Sequence, residues 1–195
     1  MREKNKTTNV IVVGTGGQGV VLASEILSDV AMRCGFDAKK SEIHGMSQRG
    51  GIVTSHVRFS KKVASPLIME GEADILLSFE LAEAVRWLHF LRPEGRVITS
   101  LQKIIPPAVY AGMGRYPENA VDMLRERTPN PILVDALPMA DALGNPRLVN
   151  TILLGIASNL LNLPVDQWQA VIAERVPPKF KALNLLAFGK GRQIQ

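Results

Sequence analysis

The chain is short of three things: cysteine, of which Cys34 is the only example, aromatic residues, at 5%, and long apolar runs. Each shortage excludes something. One thiol cannot close an internal disulfide, nor can it hold an iron–sulfur cluster, which takes several thiolates. The longest strongly apolar stretch, residues 151–161, falls short of the roughly 20 residues that cross a bilayer, and it carries Asn159. It reads as a buried helix. The net charge is +5, but a nucleic-acid binder gathers its basic residues with stacking aromatics. With so few aromatics no nucleic-acid partner is expected, and the five basic groups of residues 175–195 read as a solvated tail. Residues 1–9 are polar and charged, without the apolar centre of a signal peptide, so a cytoplasmic protein without a membrane partner is expected.

What is present is an ordinary globular balance: 195 residues, 46% hydrophobic and 21% charged, enough for one domain, 1–195, around one core. Residues 9–13 form a β-branched run ending at glycine, as a buried parallel strand does. Val20, Leu22, Ala23, Ile26, Leu27, Val30 and Ala31 then recur at helical spacing as far as Gly35. Residues 38–43 and 52–59 read as strands. The link between them is too short for a crossover helix, so they are expected to pair antiparallel. Further strands are expected at 74–79, 96–100 and 132–134. A helix carrying Leu81, Val85, Leu88 and Leu91 on one stripe follows the first of these. Residues 101–117, rich in proline and glycine, read as irregular, with a short strand near Val109. Helices are expected at 118–127, at 166–175, at 178–188, and from Asn145-Pro146 to about 161, since proline suits a first helical position. Together these describe an α/β, Rossmann-like domain: a mostly parallel sheet with helices on both faces, one antiparallel strand pair, and a helical C-terminal third.

Two segments carry chemistry. Gly14-Thr15-Gly16-Gly17-Gln18-Gly19 has the G-x-G-x-x-G pattern between a strand and a helix, where glycines permit close approach and free helix N–H groups attract an anion. A dinucleotide site adds an acid about 20 residues on. Glu42 stands there, flanked by Lys39 and Lys40, which is a poor match. The same glycines would also serve merely to pack the helix on the sheet. The second segment, running from Ser41 to Gly51, holds Glu42, His44, Gly45, Met46, Ser47, Gln48, Arg49 and Gly50. It combines an acid–base group in His44 with a permanent cation in Arg49, at the sheet edge where open α/β folds bind ligands. A plain hairpin loop, with Arg49 on a surface carboxylate, is the alternative.

The two segments together, with the strand through His56 and Arg58, resemble the gamma-type domain of the 2-oxoacid:acceptor oxidoreductases, and most closely the beta subunits of the indolepyruvate:ferredoxin branch. Ser65-Pro66-Leu67-Ile68, Gly71-Glu72-Ala73-Asp74 and residues 145–155 extend the resemblance over most of the chain. It implies a subunit of an enzyme that oxidatively decarboxylates a 2-oxoacid, such as indolepyruvate or another aryl pyruvate, to an acyl-coenzyme A. Thiamine diphosphate, magnesium and [4Fe-4S] clusters are then expected in a larger alpha subunit, with ferredoxin as acceptor and coenzyme A as co-substrate. This chain has no G-D-G with a downstream Asn-Asn, and its one cysteine cannot build a cluster. It is expected to bind no cofactor or metal itself and to be inactive alone. No residue is assigned as catalytic. The turn and the loop are expected to face coenzyme A or the partner. A free-standing nicotinamide or flavin enzyme, a non-catalytic interaction subunit, and a homodimer of the isolated chain stay open.

Overall fold

The computed structural model describes residues 6–44 and 51–194. In chain order the elements are β1 (Thr8–Thr15), α1 (Val20–Arg33), β2 (Asp37–His44), β3 (Ile52–Ser60), β4 (Ala73–Ser78), α2 (Leu81–Arg86) and β5 (Leu91–Ser100). Then come α3 (Pro107–Tyr110), α4 (Ala120–Arg127), β6 (Ile132–Val134), α5 (Ala136–Ala142), α6 (Val149–Leu160), α7 (Val165–Arg175) and α8 (Lys181–Arg192).

The six strands form one sheet in the order β2-β3-β1-β4-β5-β6. β1, β4, β5 and β6 are parallel neighbours, whereas β3 runs antiparallel to both β2 and β1. The expected antiparallel pair is therefore present, and β3 is inserted between its partner and the parallel set. This explains why both faces of β3 are buried, Val53 and Val57 on one and Thr54 and His56 on the other.

Alternation along β1 divides the core. Val10 and Val12 pack under α1, α6, α7 and α8, where Trp168 and Phe188 stack with centroids 5.9 Å apart. Ile11 and Val13 face the other way, toward α2 and α4. Successive strand side chains point to opposite faces, so an all-apolar strand requires helices on both.

Three of the expected elements differ in detail. The stripe ending at Leu91 is cut short: α2 stops at Arg86, a 3-10 turn covers Leu88–Phe90, and Leu91 opens β5 against Ala73. Pro93 and Gly95 follow, and the register shifts there, so the strand bulges before resuming at Arg96. Val109 lies in the helical turn α3, not a strand. Asn145 caps a 3-10 turn at Pro146–Leu148, its side-chain oxygen accepting from the Arg147 N–H at 3.0 Å, and α6 starts only afterwards.

Candidate functional site

β1 ends at the carboxyl edge of the sheet, and the turn that follows is built tightly. Gly14 leaves no room for a side chain, since a Cβ there would sit 2.8 Å from Gln18 Oε1 and 3.1 Å from Phe79 Cβ. Gly19 caps α1 with φ 85°, and a Cβ on it would come within 2.6 Å of Asn150 Nδ2. Gly17 is also left-handed, at φ 97°, but faces open space.

Gln18 folds back into the turn. Its Oε1 accepts from the Thr15 N–H at 2.8 Å and from the Thr15 hydroxyl at 3.1 Å. Its Nε2 donates to Phe79 O at 2.8 Å and to Gln102 Oε1 at 3.1 Å. One carboxamide thereby ties the carboxyl ends of β1, β4 and β5. The Gly16 N–H donates to Gly51 O at 2.9 Å, and the Gln18 N–H to Thr15 O at 3.2 Å. Among the described residues no acceptor meets the amides at Gly17 and Gly19, and the first turn of α1 contains no acidic residue, so these N–H groups suit an anion.

The Gly16–Gly51 bond joins the two predicted segments at their stems. Thr15 pairs with Ile52 across β1 and β3, and His44 pairs with Val53 across β2 and β3. Gly45, Met46, Ser47, Gln48, Arg49 and Gly50 lie outside the described residues, as does the His44 side chain. Glu42, the stand-in for a ribose-binding acid, is ion-paired with Lys40, which also reaches Glu25 of α1 at 3.6 Å. That pairing counts against a dinucleotide, because the acid is already engaged.

His56 and Arg58 support the scaffold. The His56 ring is buried, its Nδ1 accepts from the Ile68 N–H at 3.0 Å, and it meets Phe90 edge-on at 5.5 Å. Burial, helped by the Arg58 charge, holds its pKa below the ordinary value, so the ring stays neutral. Arg58 donates to Asn9 Oδ1 at 2.9 Å and to Leu67 O at 2.7 Å, fastening the segment after β3 to β1.

The sequence reading missed Glu80 and its partners. Glu80 is 1% exposed; its Oε2 accepts from the Glu83 N–H at 2.9 Å and caps α2. Its Oε1 accepts from the Ile104 N–H at 3.1 Å and from the Tyr116 hydroxyl at 2.5 Å. Burial, then the hydrogen bond to Glu80 and its charge, push the Tyr116 phenol well above the ordinary range. Burial likewise raises the Glu83 carboxyl, with Arg86 opposing. The available signal was an acidic residue at a strand end with Glu three positions later, a helix-start pattern.

The loop after β5 is thus held at both ends, by Gln102 on Gln18 and by Ile104 and Tyr116 on Glu80. Between them Ile105, Tyr110 and Met113 are exposed, the last two at 78% and 77%. Ile43, near the end of β2, is exposed on the same edge. Among the described residues no group of three or more His, Cys, Asp or Glu is placed to hold a metal, and no helix is long and apolar enough to cross a membrane. A cavity of about 470 Å³ opens at the opposite edge, between Phe36, Phe59, Leu161 and Leu163, and borders Cys34; no residue of the turn lines it.

The family model for pyruvate ferredoxin/flavodoxin oxidoreductase matches residues 9–194. The chain is 40% identical over 187 residues to the indolepyruvate oxidoreductase subunit IorB of Archaeoglobus fulgidus, covering 94% of this chain and 92% of that protein. Its fold is similar to the gamma subunit of the keto/oxoacid ferredoxin oxidoreductase from Geobacter sulfurreducens, with TM-score 0.71 at 21% identity, covering 95% and 96% of the two chains. It also superimposes on 2-oxoglutarate:ferredoxin oxidoreductase from Magnetococcus marinus, solved with 2-oxoglutarate, coenzyme A and succinyl-CoA bound. There the TM-score is 0.74 at 19% identity, and the match covers 97% of this chain but 31% of that one.

Proposed function

The chain belongs to the pyruvate ferredoxin/flavodoxin oxidoreductase family, and from that premise we propose that it is the small subunit of an indolepyruvate-type 2-oxoacid:ferredoxin oxidoreductase. The observation that carries this reading is the 40% identity to an indolepyruvate oxidoreductase subunit across nearly the whole of both chains. The reaction is the oxidative decarboxylation of an aryl 2-oxoacid to an acyl-coenzyme A, with ferredoxin as electron acceptor. Thiamine diphosphate, when bound in the larger subunit, supplies the carbon–carbon bond cleavage. Cys34 offers one thiolate where a [4Fe-4S] cluster takes four, so the clusters belong with the larger subunit as well.

The part played by this chain is to bind and to orient. Its carboxyl edge presents the Gly17 and Gly19 amides at the positive end of α1, and Gly51, bonded to Gly16, closes the segment whose sequence carries His44, Ser47, Gln48 and Arg49. These groups form one wall of a shared site, where amides and a guanidinium hold anionic groups of coenzyme A or of the acyl intermediate. The exposed Ile105, Tyr110 and Met113 all belong to the loop after β5, on the same edge of the sheet, and are covered by the larger subunit. Exposed apolar side chains gathered in one loop are the mark of an interaction surface.

Sedimentation of the chain mixed with the larger subunit tests the reading. A stoichiometric complex, weakened by charged substitutions at Tyr110 and Met113, supports it. A chain that sediments alone and retains a nicotinamide or flavin through purification refutes it.

A further inference from the structure

Arg96 differs from the other described arginines. Each of those either reaches an acceptor or is exposed to solvent. Arg96 is half-buried, its Nε is sealed from solvent, and among the described residues no acceptor meets it. Asp74 and Glu94 border its other side but pair with Arg92 instead, so the Arg96 guanidinium keeps donors that no described residue satisfies.

The bulge in β5 sets this guanidinium at the amino-terminal edge of the sheet, on the opposite side from the glycine turn. There it lines a cavity of about 720 Å³ between β5, β6 and the end of α4. Arg125 of α4 faces the same cavity, exposed and without an acidic partner. Asn130, held at φ 50°, borders it as well. Ile132, Leu133 and Ile194 complete the wall with apolar surface. Its volume lies within the roughly 300–1,000 Å³ of small-molecule sites, and it is open to solvent with polar and apolar groups about evenly mixed in its wall.

We propose that this cavity binds a small molecule carrying a carboxylate or phosphate group, with Arg96 and Arg125 holding its oxygens and Ile132, Leu133 and Ile194 packing its apolar part. Two planar guanidiniums match either oxyanion bidentately. The site is separate from the carboxyl edge, and the inference does not rest on the function proposed for that edge.

Calorimetric titration of the full chain at low ionic strength with citrate, and separately with pyrophosphate, tests it. The account expects saturable binding of at least one probe, with the two arms distinguishing carboxylate from phosphate. Binding should weaken about tenfold or more in R96Q and in R125Q, consistent with loss of a charge-assisted pair. R127Q, on the same helix but outside the cavity, should bind as the wild type does. The exposed position of Arg125 keeps R125Q informative even if R96Q folds poorly. No saturable binding of either probe overturns the proposal. So does binding that R125Q and R96Q leave unchanged, or that R127Q weakens equally. Capture of a polyglutamate peptide without binding of either probe also overturns it, and gives the cavity to a protein partner instead.

Discussion

Gln18 and Gln102 meet side chain to side chain, Nε2 to Oε1 at 3.1 Å, although 84 residues separate them in the chain. The orientation of the Gln18 amide follows from its other partners. Phe79 O can only accept and the Thr15 N–H can only donate, so the carboxamide has one consistent setting. The glycine turn is therefore coupled to the loop after β5, and the two act on the carboxyl edge as one unit. Replacing Gln18 with alanine leaves the Thr15 N–H and Phe79 O without partners, an expected loss of about 2 kcal/mol. Urea unfolding reads that loss. A variant as stable as the wild type would mean the clasp contributes nothing.

The two left-handed glycines of the turn should respond unequally. Alanine at Gly17, φ 97° in open space, meets only the backbone cost of about 1–2 kcal/mol. Alanine at Gly19 meets the same cost and the Asn150 side chain 2.6 Å away. G19A should therefore be the less stable of the two in thermal denaturation, and equal midpoints would contradict the packing described.

Stability should depend on pH through His56. The folded protein keeps this ring neutral below the ordinary value of 6.5, where the unfolded chain takes up a proton. Stability is therefore full above that value and falls as pH drops through it toward the lower folded pKa. In H56Q the Gln oxygen can still accept from the Ile68 N–H, and unfolding free energies measured from pH 8 to about 5.5 should flatten. Glu83 works in the opposite sense in a lower window. Its carboxyl is raised above 4.5, so its penalty is relieved as pH falls. An unchanged slope in H56Q would remove His56 as the cause.

Glu80 holds the loop after β5, and E80Q keeps the shape while replacing one acceptor oxygen with a donor. The Ile104 N–H, or the first turn of α2, should then exchange its amide hydrogens faster. The Tyr116 phenol, lifted by burial and by Glu80, should titrate closer to its ordinary value of 10.0, as read by ultraviolet absorbance. Unchanged exchange together with an unchanged phenol titration would show that the loop is held by other means.

Much of this architecture was legible because periodicity follows from burial. β6 at Ile132–Val134 matches the apolar triplet, and α4 and α7 match their amphipathic stripes. α5 was not legible, because Pro138 suggests a break; it sits in the first turn, where a missing N–H costs little. Leu91 fits a helical stripe as well as a strand, and only pairing with Ala73 decides it. In the candidate site, a shared edge for the two segments follows from the second one leaving the end of its strand, and the Gly16–Gly51 bond joins their stems. Gln18 reads as a filler position of the glycine pattern; its reach to Gln102 is a tertiary fact with no local signal. Glu80, by contrast, carried a helix-start signal that the apolar run before it obscured.

The most direct test of the account is an anaerobic assay of ferredoxin reduction with indolepyruvate and coenzyme A. The larger subunit is assayed alone, with this chain, and with its R49Q variant. The account predicts no turnover by either subunit alone, turnover on mixing, and a raised Michaelis constant for coenzyme A with R49Q. Full turnover by the larger subunit alone, or by this chain alone, would contradict it.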